Sequence, residues 1–156
     1  MKVVDTWIVL KIKDILQKII GGGTPSKSKP EYWNGSIPWA SVKDMKDGIY
    51  KLHSTVDSIT EIGLKNSSSN LIPKGTIIIS TRMGLGRCFI PSIDVAINQD
   101  LKALITKKEV VNTNYLLWLM VSLSEKLQLL GTGTTVKGIT IETLNNIEIL
   151  LPPLPT

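Results

Sequence analysis

Apolar and polar positions follow two rhythms along this chain of 156 residues. Ile12, Ile15, Leu16 and Ile19 recur at three- and four-residue spacing, which predicts a short helix over residues 12–20. Gly21-Gly22-Gly23 stops it, because three glycines lack the stiffness a helix needs. The loop that follows carries Lys27 and Lys29, and Pro30 keeps it non-helical. Residues 37–42 predict a short buried strand with Pro38 at its edge or start, and residues 44–48 a turn. Thr60 is placed to cap a helical turn, and residues 67–70 form a polar loop. The clearest local signal comes next. Pro73-Lys74-Gly75 is a tight turn and residues 76–81 a β-branched strand. Met83-Gly84-Leu85-Gly86 then reads as a hairpin turn into a second strand, 87–90. Strands at 94–97 and 101–105 are separated by Asn98-Gln99-Asp100.

The main helix runs from Asn114 to about Leu130, with Leu116, Met120, Leu123, Leu127 and Leu130 as one continuous apolar stripe. Gly131-Thr132-Gly133 ends it. A short helix over 140–144 has Thr140 as cap, and 147–151 is a last strand before an extended proline segment. This order does not alternate strictly between strand and helix. It predicts an α+β domain with a curved, mostly antiparallel, partly barrel-like β-sheet and a few packed helices.

Length and composition narrow the function classes. One domain of this size buries a core without staples. Cys88 is the single cysteine, which excludes a disulfide scaffold and points to a reducing cytoplasm. With His53 the single histidine, no structural zinc site or other metal site is expected, nor any cofactor. A Ser/His or Cys/His catalytic unit would need His53 itself. No membrane association is expected: Asp5 sits where a secretion signal needs an apolar run, and Glu125-Lys126 interrupts the longest apolar stretch. The net charge of +5 is common among soluble proteins, but it is unevenly placed. Residues 1–51 hold nine lysines and five acids, so four of the five excess charges lie there.

The candidate chemistry is that of a polyanion partner. Arg82 and Arg87, the two arginines of the chain, flank the turn at 83–86. A guanidinium forks two donors onto guanine or a phosphate. An exposed turn bordered by basic residues is the equal alternative. Lys27, Lys29 and Lys43 suit phosphate contacts, although a solvated loop is the default for any one of them. The segment 131–138 holds Thr134, Thr135 and Lys137, whose hydroxyls, amides and amine suit a phosphate. A plain helix-terminating loop is the slightly preferred reading of this segment. Asn98 and Gln99 are favoured as turn-fixing amides, with adenine pairing by Gln99 as the alternative. Neither Gly84-Leu85-Gly86 nor Gly21–Gly23 continues into the Gly-Lys-Ser/Thr ending of a nucleotide P-loop.

Taken in order, several of these pieces resemble a known family. They are Gly22-Gly23-Thr24-Pro25-Ser26, Tyr32-Trp33-Asn34-Gly35-Ser36-Ile37-Pro38-Trp39 and Asp44, then Ile59-Thr60, Gly63-Leu64 and Leu71-Ile72-Pro73-Lys74-Gly75-Thr76. Ser80-Thr81-Arg82, Gly84, Gly86, Asn98-Gln99, Gly131-Thr132-Gly133-Thr134-Thr135 and Leu151-Pro152-Pro153-Leu154 complete the set. The chain resembles a target recognition domain of the specificity subunit of a type I restriction-modification system. The resemblance implies a single recognition domain over 1–156 that reads one half of a bipartite site in double-stranded DNA. It also implies partners: methyltransferase (modification) subunits and, through them, the restriction subunit. Full specificity subunits carry two such domains separated by long helices. Thr156 follows the proline segment where such a helix would begin, so the chain is expected to be one half or a fragment of a subunit.

The expected function is therefore sequence-specific DNA binding without catalysis. Two other classes stand against it. A DNA-modifying enzyme is disfavoured, because Leu151 and Leu154 flank Pro152-Pro153 where an amino-methyltransferase needs Asn/Asp and an aromatic residue. A protein-interaction module would use the apolar helix or the proline tail.

Overall fold

The computed structural model describes residues 7–133 and 138–154. Strand β1 (Ile8–Lys11) leads into one helical turn, α1 (Ile12–Ile15), and then into β2 (Leu16–Ile20). The helix expected over 12–20 therefore lasts a single turn. Its apolar spacing still marks core positions, since Ile12, Ile15 and Leu16 are buried. From Leu16 onward a distant strand decides the backbone. Ile19 and Ile20 stand opposite Leu104 and Ala103 of β10 (Leu101–Thr106), and their branched side chains suit a pleated ladder.

A 3₁₀ turn, Pro30–Tyr32, opens into β3 (Trp33–Ala40), which is longer than the strand expected at 37–42. Pro38 lies inside it, opposite Ser58 of β5 (Asp57–Ile59). The lost N–H is tolerated because the second neighbour, β9 (Val95–Ile97), pairs at Trp39 and Ala40, beyond the proline. The register of β3 shifts between Trp33 and Ile37. At this irregularity a Cβ on Gly35 would lie 2.5 Å from the Ile59 carbonyl oxygen, so the residue must be glycine.

Between them, a 3₁₀ turn at Val42–Asp44 precedes β4 (Lys51–Leu52). Helix α2 (Glu61–Lys65) is capped as expected, with the Thr60 hydroxyl accepting from the Gly63 N–H at 3.1 Å. Strand β6 (Leu71–Ile72) follows, then the hairpin of β7 (Ile77–Ser80) and β8 (Cys88–Pro91). The single helix expected over 114–130 is two: α3 (Thr113–Ser122) and α4 (Ser124–Leu130), which meet at Leu123. The Ser122 hydroxyl donates to the Leu119 carbonyl at 2.6 Å, a back-bond that bends helices. Gly86 packs close to this junction, since a Cβ there would lie 3.2 Å from Ser124 Cα. Leu116, Met120 and Leu127 of the stripe are fully buried, whereas Leu130 is 41% exposed. Asn112 caps α3 by accepting from the Asn114 and Tyr115 N–H groups. Helix α5 (Ile141–Asn145), capped by Thr140, and β11 (Glu148–Leu151) finish the domain.

The described strands form a five-stranded sheet, β2-β10-β7-β8-β4, a four-stranded sheet, β5-β3-β9-β6, and a ribbon of β1 with β11. All pairs are antiparallel except β3 with β9 and β4 with β8. The mixed α+β architecture matches expectation, but the sheet is not closed into a barrel. Strand β7 explains why its sequence is continuously apolar. Ile77 and Ile79 join the core that contains Leu116, Met120 and Leu127, while Ile78 joins a second core with Phe89, Ile97 and Leu101. Both faces are buried, and each such side chain contributes about 1.5–3 kcal/mol.

Candidate nucleic-acid interface

Strand register gathers the candidate residues at one end of the two sheets. Ser80, the last residue of β7, stands opposite Leu101, the first of β10, and Ile20 at the end of β2 stands opposite Ala103. In the other sheet β3 and β9 run parallel and end together, and Asp57 at the start of β5 faces Trp39. Asn98-Gln99-Asp100 joins the two sheets at this end. The loops after β2, β3, β7 and β9 are therefore neighbours.

The first of these loops is held by backbone packing. A Cβ on Gly22 would lie 2.2 Å from the Ile97 carbonyl oxygen, and one on Gly23 would lie 2.7 Å from Ser68 Cβ. The Gly23 N–H donates to Ile97 O at 3.1 Å, and Trp39 Nε1 donates to Gly23 O at 3.1 Å. This threads Thr24-Pro25-Ser26 across the end of β9. In the next loop Asp44 is buried and uses both carboxylate oxygens on backbone, accepting from Ser41 N at 2.9 Å and Val56 N at 2.8 Å.

Between these loops lies an open cleft of about 440 Å³. Lys27, Lys43 and Gln99 line it together with Asp57, Asp100 and Trp33. The cleft has a mixed charge pattern. Lys43 Nζ lies 3.1 Å from Asp57 Oδ2. The Thr24 hydroxyl donates to Gln99 Oε1 at 2.5 Å, which restrains an exposed amide. Beneath it the Lys102 amine donates to the Gln99 carbonyl at 2.7 Å. Burial lowers the Lys102 amine below its ordinary range, and the charge of Asp100 opposes that shift. Asn98 is buried and fixes the turn, its Oδ1 accepting from Asp100 N at 3.0 Å, as expected for that residue.

The remaining candidates are placed differently. Lys29 is exposed two residues beyond Lys27 but is not part of the cleft wall. Arg82 is exposed and sits against the cleft through its neighbour, since Thr81 N donates to Asp100 O at 3.0 Å. Arg82 also pairs with Gly138 in an isolated antiparallel bridge. Arg87 faces elsewhere. Its guanidinium donates to Met45 O at 3.1 Å and lies 3.3 Å from Asp47, in a separate cavity of about 320 Å³ that also meets α4. The two arginines thus bracket the hairpin in sequence but diverge in space. Thr134, Thr135 and Lys137 lie outside the described residues. Their flanks pair, with Thr132 N donating to Gly138 O at 2.9 Å and Gly138 N to Thr132 O at 3.0 Å.

Asp57, Asp100 and Thr24 are cleft residues that sequence reasoning did not single out. Thr24 carried a signal, since it belongs to a quoted glycine-threonine-proline run. The two aspartates carried none, being isolated acids in a stretch of balanced charge. His53 Nδ1 lies 2.7 Å from Ser92 Oγ, and no carboxylate among the described residues bonds the ring. No group of three or more His, Cys, Asp or Glu among the described residues is arranged to hold a metal. No described helix is long and apolar enough to cross a membrane.

The same fold occurs in solved chains of type I restriction-modification systems. One, from a structure describing complex assembly and conformational transition of a type I R-M system, superposes with a TM-score of 0.71 at 24% identity over 96% of this chain and 35% of that one. The HsdS subunit from Thermoanaerobacter tengcongensis gives 0.68 at 23% identity, covering 95% of this chain and 34% of that one.

Sequence relatives agree. The MjaIX specificity subunit of Methanocaldococcus jannaschii is 36% identical over 153 residues, 97% of this chain and 35% of that subunit. The EcoR124I/EcoR124II specificity subunit of Escherichia coli is 43% identical over 99 residues, 60% of this chain and 24% of that subunit. The family model for the type I restriction modification DNA specificity domain matches residues 4–156, and the chain belongs to that family. It spans about a third of the length of the first of these curated relatives.

Proposed function

We propose that residues 1–156 are a single target recognition domain that binds double-stranded DNA and reads the bases of one half of a bipartite site. The family match over 4–156 carries this reading. The cleft supports it, because Lys27, Lys43 and Gln99 come from three separate loops and line one opening. In the proposed complex Lys27, Lys29 and Lys43 contact phosphates, which supply affinity and register. Thr134, Thr135 and Lys137 add phosphate contacts. Arg82 and Gln99 reach base edges, and Arg87 supports the hairpin from its far side.

The domain itself performs no catalysis in this reading. Methylation belongs to partner modification subunits and cleavage to a restriction subunit bound through them, all in the cytoplasm. No cofactor is assigned to this chain.

Selection of bound duplexes from a random pool by the 156-residue chain tests the function directly. Enrichment of a defined half-site is the expected result, with affinity that falls as salt rises. A pool that stays random after repeated rounds, or binding indifferent to salt, would overturn the reading. Arg82→Ala is expected to weaken binding to the enriched duplex by about 1–3 kcal/mol if it contacts a base bidentately.

A further inference from the structure

The cleft proposed to meet a polyanion is lined by two carboxylates. Asp57 and Asp100 both stand in its wall, on different elements. Each has one oxygen held and one open. Asp57 Oδ2 pairs with Lys43 Nζ at 3.1 Å, and Asp100 Oδ2 accepts from Asn98 Nδ2 at 3.5 Å. Neither Oδ1 has a hydrogen-bond partner among the described residues. The contrast with Asp44 is informative, because that carboxylate spends both oxygens on buried backbone and has a structural role. The backbone of Asp100, not its carboxylate, does the tying: its carbonyl accepts from Thr81 N and its N–H donates to Asn98 Oδ1. Both aspartates are half-buried, with 31% of the Asp57 side chain exposed.

A carboxylate facing DNA is repelled by every phosphate. It is attracted only by hydrogen donors, and in the major groove these are the exocyclic amino groups, cytosine N4 and adenine N6. Guanine O6 and thymine O4 present oxygen instead and are rejected. We propose that Asp57 and Asp100 are specificity-determining residues, their unpaired Oδ1 oxygens accepting from cytosine N4 or adenine N6 of the half-site. This inference rests on the DNA-reading function proposed above. The lysines of the same cleft then stand over phosphates, and Lys43 also holds Asp57 in place.

Asp57→Ala and Asp100→Ala in the 156-residue chain test it, measured against the enriched duplex and against an unrelated duplex. Each variant removes the charge and both acceptor oxygens. Affinity for the enriched duplex is expected to fall by roughly 10- to 150-fold, the worth of one hydrogen bond to a charged group. Affinity for the unrelated duplex is expected to rise, because a repulsive charge is gone. Opposite signs are the signature of base reading. Loss on both duplexes means a structural role, gain on both means mere repulsion, and no change means no role; each of these overturns the inference.

A second arm leaves the protein intact. In the enriched duplex, cytosine is replaced by 2-pyrimidinone or adenine by purine, which lack the amino group. The wild-type chain is expected to lose affinity at one position per aspartate, and the matching Ala variant to lose nothing further. If a half-site is enriched but depends on neither amino group nor carboxylate, this inference fails and the proposed function stands. If no half-site is enriched, both fail.

Discussion

Gly22 shows how a family motif can be read at the scale of a single residue. A side chain there would meet the Ile97 carbonyl oxygen at 2.2 Å, within a backbone-to-backbone contact that cannot yield. Gly22→Ala is therefore expected to destabilise the domain by about 3 kcal/mol, as severe steric substitutions do, and denaturant unfolding measures it. The motif that suggested DNA recognition is thus first a packing device, and only its Thr24 touches the cleft. Cys88 gives a second residue-scale expectation. Burial pushes its thiol from 9.0 up to about 11. The unfolded chain releases this proton at lower pH than the folded one. Stability from this group is intact below pH 9.0 and is lost as pH rises through that value toward about 11. The full loss is up to about 3 kcal/mol, since one pH unit is worth about 1.4 kcal/mol. Urea midpoints compared across that range should fall in the native chain, and the alkaline slope should flatten in Cys88→Ser. Arg87 makes a different point. Its partner Asp47 is largely exposed, so Arg87→Ala is expected to cost under about 1 kcal/mol of stability.

At the scale of elements, local signals succeeded where one residue's chemistry settles the backbone. Thr60 and Thr140 cap α2 and α5 by accepting backbone N–H groups. Gly75 takes a positive φ of 84° in the turn before β7, which Pro73-Lys74-Gly75 announces. Local periodicity failed where a distant partner decides. Residues 16–20 keep helical spacing but lie in a strand because β10 offers a ladder. The stripe from Leu116 to Leu130 reads as one helix, yet it divides at Leu123, beside the Ser122 back-bond to Leu119. Asn112, not Asn114, begins α3. Replacing Asn112 by Ala should cost about 1 kcal/mol, because two helix N–H groups lose their acceptor. Thermal unfolding of Asn112→Ala beside Asn114→Ala checks the assignment, with the larger loss expected at 112.

At the scale of the whole molecule, the salient fact is convergence at one end of two sheets. Lysines scattered over the basic N-terminal third are weak evidence one by one. Lys27 and Lys43 become a pair because β2 and β3 end beside β9, whose following turn presents Gln99. If both hold phosphates, each alanine substitution should lower the slope of log affinity against log salt by about one, and the double variant by about two. Lys43→Ala carries an extra expectation: freeing Asp57 from its ion pair should also blur base preference. Titrations of fluorescent duplexes at several salt concentrations separate the two effects.

Composition, spacing and turn chemistry by themselves determined the α+β class, most strand positions, both threonine caps and the family resemblance. Each of these depends on neighbours within a few residues or on an ordered motif. The tertiary structure alone decided that β2 is a strand, that Arg82 and Arg87 part company, and that two aspartates without any local signal share a cleft with Lys27, Lys43 and Gln99. Those facts depend on pairing between distant segments, with Leu16 opposite Thr106 in the widest case. Hydrogen-bond ladders and backbone contacts at that range leave no trace in a local pattern of apolar and polar positions.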